Sequence, residues 1–196
     1  VTADGVVVID TGSSRLYGEQ MRRAIAAVTD KPIRQVLITH HHPDHFFGNQ
    51  GFRDLPIAAL SGSIGGMKEE GVGFADNLYR MAGDWMRETE PLAATQEARP
   101  GRSTIGGHDI ELVALKGHTQ ADLVVLDHTS GVLFAGDLVF WQRAATTPHA
   151  SIADWLGSRT PALPAEVLVV DDGSSDRTAA VAEKTAAGLG LSFRVI

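Results

Sequence analysis

Thr39-His40-His41-His42-Pro43-Asp44-His45, directly after the apolar run Val36-Leu37-Ile38, is the stretch that decides how this chain is read. The spacing His40-x-His42-x-Asp44-His45 is that of a metal site. In an extended segment side chains alternate, so His40 and His42 face one way and can grip one ion, while Asp44 and His45 can turn toward a second. A chance polar turn is the competing reading, but the whole chain has only 8 His. Half of a two-metal centre is the better account.

Working outward, the histidine stretch closes a βαβ unit. Val6 to Ile9 reads as a buried strand ending in the turn Asp10-Thr11-Gly12, and Tyr17 to Val28 carries a helical apolar stripe. Gln35 to Thr39 is the second strand, and open α/β sheets place ligands at such C-terminal strand ends. Asp10 has two readings of equal weight, a turn-capping carboxylate or a partner that orients a metal-bound histidine. Ile57 to Leu60 is expected as a further strand. Ser61 to Glu70 and Phe74 to Glu88 are expected as two helices, the second packing Leu78, Met81, Trp85 and Met86 into a core, with Trp85 or Tyr79 as minor candidates for a cleft wall.

From Ser103 the pattern changes to hairpins, Thr104-Ile105 with Asp109 to Leu115 and Leu123 to Asp127 with Val132 to Ala135. The first hairpin is followed by Gly117-His118-Thr119 and the second by Gly136-Asp137, which supply what the first motif lacks. His40, His42 and His118 make a three-ligand zinc site with a position left for water. Asp44 and His45 take a second ion, and Asp137 bridges the two. Such a centre holds a hydroxide at neutral pH and polarises a carbonyl or phosphoryl oxygen, with Asp44 orienting the water and passing on its proton. His41, His108 and His128 read as surface residues. His149 could face the metals, and Asn49 either donates to a substrate oxygen or holds a turn.

The ordered motifs His40-His41-His42-Pro43-Asp44-His45, Gly117-His118-Thr119 and Gly136-Asp137 resemble the metallo-β-lactamase superfamily over roughly residues 5 to 165. The resemblance implies an α/β (α+β) fold, an αββα sandwich with metals at one edge of two packed sheets, its N-terminal strands apparently missing. It also implies one or two Zn2+ ions and a small-molecule substrate. Residues 75–80, 83–86 and 146–150 resemble, more narrowly, zinc metallohydrolases of quinoprotein relay systems.

The superfamily normally adds a late histidine, and here none follows His149. Instead Val167 to Thr178 resembles the nucleotide-sugar segment of family-2 glycosyltransferases, with a strand, a helix over Asp176 to Ala187 and a last strand from Ser192. Residues 1–165 are therefore expected to form the metallohydrolase domain, with 166–196 completing it or grafted onto it. Asp172 is a candidate replacement for the missing ligand. The expectation is a zinc-dependent hydrolase of unknown substrate (ester, thioester, lactone, β-lactam or phosphoester), and the alternative is a chimeric or truncated domain that binds metal without turnover.

Composition is consistent with this. Hydrophobic residues are 43% and charged residues 21%, enough for a core, and a net charge of -7 offers no basic face for nucleic acid or an anionic membrane. The absence of cysteine excludes thiolate zinc sites and cysteine nucleophiles. No run is apolar enough to span a bilayer. The chain reads as soluble, periplasmic or cytoplasmic in a bacterium, and Val1 in place of Met reads as the loss of an N-terminal piece.

Overall fold

The computed structural model describes residues 1–140, 146–147, 149–151, 154–155, 166–169, 180, 184 and 192–195. Contacts divide the chain into two compact units, Val1–Ala114 with Ala121–Gly136, and Leu115–Gln120 with Asp137–Ile196.

In the first unit, strands β1 (Val6–Ile9), β2 (Ile33–Leu37), β3 (Ile57–Ala59) and β4 (Gln96–Glu97) form a parallel sheet in that order. Parallel neighbours need long crossovers. Helix α1 (Arg15–Val28) makes the first, and helix α3 (Ser61–Ala82) lies in the connection from β3 to β4. The Ser14 side chain caps α1 by accepting from Tyr17 N at 3.1 Å.

Strand alternation then creates two cores from one sheet. Val36, Ile38, Ile57 and Ala59 join Phe46, Phe47, Phe52 and Met67 on the helical side. Their neighbours Leu37, Ala58 and Leu60 point the other way, against Ile110, Leu112, Leu123 and Val125. Those last four belong to a second sheet of β5 (Gly101–Ile105), β6 (His108–Leu115), β7 (Asp122–Asp127) and β8 (Val132–Phe134), ordered β5-β6-β7-β8 with β5 antiparallel to β6 and β7 to β8. Each buried Leu or Ile between the sheets contributes about 1.5 to 3 kcal/mol by leaving water. The helix-sheet-sheet layering of the expected sandwich is thus present within this unit.

The region expected as two helices is one. α3 runs through Gly71-Val72-Gly73, and a 3-10 turn, Gly83–Met86, follows it. Gly71 is buried where a Cβ would stand 2.7 Å from the Cβ of Pro91, so this glycine serves close packing rather than a break. Its intrinsic cost of about 1 kcal/mol relative to Ala is offset by that burial. The expected core stripe is also only half right. Met86 is buried and Leu78 packs on the core, whereas Met81 and Trp85 are each 68% exposed.

In the second unit β9 (Glu166–Val169) pairs in parallel with β10 (Ser192–Val195). Ala180 and Lys184, inside the expected helix, are helical. Asp172 lies outside the described residues. Among the described residues no helix is long and apolar enough to cross a membrane.

Candidate metal centre

Sheet geometry delivers the histidine loop and aromatic packing holds it. β2 ends at Leu37, Ile38 is fully buried, and a short helix α2 (Pro43–Phe46) begins with proline at its first position. Phe46 and Phe47, immediately after Asp44 and His45, are completely buried and meet edge to face with centroids 4.8 Å apart. Thr11 N donates to His45 O at 2.8 Å, and Gly48 N donates to Gly12 O at 2.9 Å. Gly18 of α1 crosses Gly48 so closely that a side chain on either would strike backbone. The loop is therefore clamped from both sides. Motif spacing did not reveal these anchors, although the adjacent phenylalanines and the glycine were visible signals.

Asp10 is the hub. Its Oδ1 accepts from Thr39 N at 2.8 Å, and its Oδ2 accepts from Thr39 Oγ1 at 2.9 Å and from His45 Nδ1 at 2.8 Å. The carboxylate thus orients His45 and leaves Nε2 for a ligand, the orienting role rather than the turn-cap role alone. With its proton given to Asp10, the Thr39 hydroxyl accepts from His40 Nδ1 at 3.0 Å, so His40 also presents Nε2. Asp10 adopts a left-handed φ of 59°, a strained backbone for a non-glycine residue that these bonds hold in place.

The ring nitrogens of this loop converge. His40 Nε2 lies 3.0 Å from His42 Nδ1, and His40 and His45 also offer ligand atoms within 4.8 Å of each other. His40 is 1% exposed. Several imidazole nitrogens oriented by a carboxylate are a donor set suited to a zinc-type ion, so this histidine cluster could hold a metal. Asp44 is the exposed member, its side chain 64% accessible and its Oδ2 3.4 Å from His45 Nε2. His45 holds the Asp44 carboxyl below the usual range, partly opposed by burial and screened by solvent, so it is ionised at neutral pH.

The second unit holds the other expected ligands. His118, 3% exposed in its side chain, donates from Nδ1 to Thr146 O at 2.6 Å, and its Nε2 stands 3.5 Å from Asp137 Oδ2. Asp137 sits in a 3-10 turn, Gly136–Leu138, whose Leu138 O accepts from Trp155 Nε1 at 3.1 Å. His118 and Asp137 are thus brought together. His149 is half-buried, and its carbonyl accepts from Gln120 Nε2 at 3.0 Å.

The remaining candidates divide. Asn49 is fully buried, its Oδ1 accepting from Thr11 Oγ1 at 2.9 Å and its Nδ2 donating to Leu92 O at 2.8 Å. Those bonds spend the amide on joining three segments, which favours the turn-holding alternative over a substrate contact. His41 is buried rather than on the surface, because α3 covers it. His108 begins β6 and is mostly buried against Asp127 at 2.7 Å, while His128 pairs with Glu111 at 2.7 Å. Hydrogen bonds from Ser130 and His108 hold the Asp127 carboxyl down to about 2. Trp85 does line a pocket of about 220 Å³, with Tyr17, Leu78 and Met86; Tyr79 is not part of it.

Comparisons with known proteins bear on the fold and the family. Among solved structures, metallo-β-lactamase IND-7 superposes with a TM-score of 0.63 at 22% identity, covering 81% of this chain and 67% of that one. The metallo-β-lactamase from Pontibacter korlensis gives 0.60 at 22% identity, covering 79% and 66%. The B3 metallo-β-lactamase BLEG-1 gives 0.63 at 19% identity, covering 79% and 73%. At these identities the likeness shows the fold. A linear primary-alkylsulfatase of a Pseudomonas species is 35% identical over 49 residues, which are 25% of this chain, and the match spans only 9% of that enzyme's length. The sequence profile described as "Metallo-beta-lactamase superfamily" matches residues 1–190. With that match added to the sandwich and the histidine loop, the chain belongs to the metallo-β-lactamase superfamily.

Proposed function

We propose that the chain is a zinc-dependent hydrolase, with His40, His42 and His118 as ligands of a first ion, Asp44 and His45 serving a second, and Asp137 shared between them. The observation that carries the reading is the Asp10 hub, which commits the Nδ1 positions of His45 and, through Thr39, His40, and so leaves the Nε2 atom of each ring to serve as a ligand. Chain continuity supports the choice of partners. Within the first unit Thr39 O accepts from Leu123 N at 2.7 Å, and a Cβ on Gly136 would lie 3.0 Å from Thr39 Cβ. Asp137 is the residue after Gly136, and His118 precedes Leu123 by five residues, so along the chain both proposed ligands stand near residues that meet Thr39.

When bound, divalent zinc would lower the pKa of a water toward about 7 and polarise a substrate oxygen. Asp44, ionised and solvent-facing, would accept a proton at Oδ and return it to the leaving group. Thr146 O would hold the His118 ring in register. Substrate class follows from the chemistry only as an acyl, phosphoryl or related ester, and the sulfatase likeness adds a sulfate ester to the panel. The narrower likeness to quinoprotein-relay hydrolases belongs to the same proposal.

Elemental analysis for metal, run beside a panel of β-lactam, thioester, lactone, phosphoester and alkyl sulfate substrates, tests the reading. Bound zinc with chelator-sensitive turnover is expected; turnover that survives complete metal removal overturns it. A second reading, a metal-binding domain without turnover, is favoured by one observation, the lack of any histidine after His149. It predicts zinc without hydrolysis across the panel. The profile match running to residue 190 supports residues 166–196 as the end of the domain that begins at residue 1, rather than a graft. Asp172 as a substitute ligand is tested by Asp172→Ala, for which unchanged metal content would remove the idea.

A further inference from the structure

Trp85 and Tyr17 leave 68% and 51% of their surface in solvent, although large aromatic side chains gain most from burial. Both line the cavity of about 220 Å³, whose other walls include Leu78 and Ala82 of α3, Met86 and Ser13. Met86 is buried and Leu78 packs on the core, so two walls are anchored while the aromatic ones face water. The lining is mostly apolar. Its volume lies below the about 300 to 1,000 Å³ of sites that bury a whole drug-sized ligand. It suits one arm of a larger molecule, a single aromatic ring or an alkyl chain.

Two of the walls continue into the histidine loop. On α3, Phe74 stands with its ring centroid 6.3 Å from those of His41 and His42. Leu78 follows Phe74 on the same helix face, about 6 Å along the axis. From the other side, the Tyr17 ring lies over Gly12, whose φ of 90° and missing side chain leave room for it. Gly12 is bridged to Phe46, the residue after His45, and comes two residues after Asp10. The cavity is therefore joined to the loop at both of its ends, by helix α3 and by the turn after β1.

We propose that this pocket is the subsite for an apolar arm, alkyl or aryl, of a substrate whose polar end meets the histidine loop. The assignment rests on the proposed function for that polar end. It makes the preferred substrate an amphiphile, with the loop reading the polar group and Tyr17, Leu78 and Trp85 reading the arm.

The test is the affinity of the zinc-loaded full chain for acetate and octanoate, two carboxylates that differ only in the arm, by calorimetry. It compares the natural sequence with Trp85→Ala, which removes a wall, and Ala82→Phe, which fills the cavity from an exposed position, with circular dichroism as the folding check. The natural chain is expected to bind octanoate at least about tenfold more tightly than acetate, and both variants to keep less than about threefold of that advantage. Should Trp85→Ala misfold, Ala82→Phe carries the comparison. Equal affinity of the natural chain for the two acids overturns the subsite and leaves the hydrolase standing, since zinc content is read separately by elemental analysis. An advantage undiminished in the folded variants also overturns it. So does octanoate affinity that stays unchanged when His40→Ala removes the metal, which makes the pocket a site of its own. A natural chain that sediments as a dimer, and as a monomer in Trp85→Ala, assigns the pocket to a second copy and overturns the subsite likewise. A natural chain that binds no zinc removes the hydrolase and this subsite together.

Discussion

The histidine loop and the hairpin of β7 and β8 use the same chemical pair for different ends. In the loop, the bond from His45 Nδ1 to Asp10 continues through Thr39 to His40, and the nitrogens on the far side of the rings converge with His42. In the hairpin, His108 bonds Asp127, whose oxygens also accept from Ser130 Oγ and from the amides of Thr129 and Ser130. There the carboxylate is saturated by its own turn, and among the described residues His108 joins no group that could hold a metal ion. A histidine–carboxylate bond therefore orients a ligand only when the ring's other nitrogen meets further donors; otherwise it is a strand-to-turn staple.

Substitutions can break this contrast, starting with the largest effect. His40→Ala removes the imidazole nearest both His42 and His45 and is expected to lower zinc-dependent hydrolysis more than about a thousandfold, with loss of bound metal by elemental analysis. Asp10→Asn keeps the shape but cannot accept from Thr39 N, Thr39 Oγ1 and His45 Nδ1 together with full charge. A loss of about 10- to 100-fold in zinc affinity, read by chelator competition, is expected.

On the hairpin side, Asp127→Asn should leave metal content unchanged and alter only acid stability. The folded carboxyl is depressed from 3.8 to about 2, so its contribution is present above the unfolded value and lost as pH falls through about 2. Melting temperature between pH 4 and pH 2 (about the window set by linkage) should therefore fall less steeply in Asp127→Asn than in the natural chain. His128→Gln is the smallest change, within about 1 kcal/mol by denaturant titration, because the Glu111 pair is partly exposed. A loss of zinc in either hairpin variant would abolish the distinction between the two regions.

Much of this was legible before the fold was known, for a physical reason. Strands such as Val6–Ile9 and the Gly106-Gly107 hairpin are written in local composition, and the His40-x-His42-x-Asp44-His45 spacing is itself the geometry of a loop after a strand. The continuity of α3 was not legible, because Gly71 signals a break unless Pro91 is known to pack on it. Asn49 could not be assigned either, since its partners Thr11 and Leu92 lie far along the chain in both directions.

The sequence alone determined the donor types, their order and the family chemistry they imply, because ligand identity is a property of side chains and of short-range spacing. Only the tertiary structure decided where each histidine is turned. His41, adjacent to two proposed ligands and identical to them in chemistry, is turned to Gly66 and Glu70 by a helix that begins only after the following strand. Asp10 became the hub because parallel pairing sets the end of β1 beside the end of β2, a juxtaposition made by sheet hydrogen bonds between residues that the chain keeps apart.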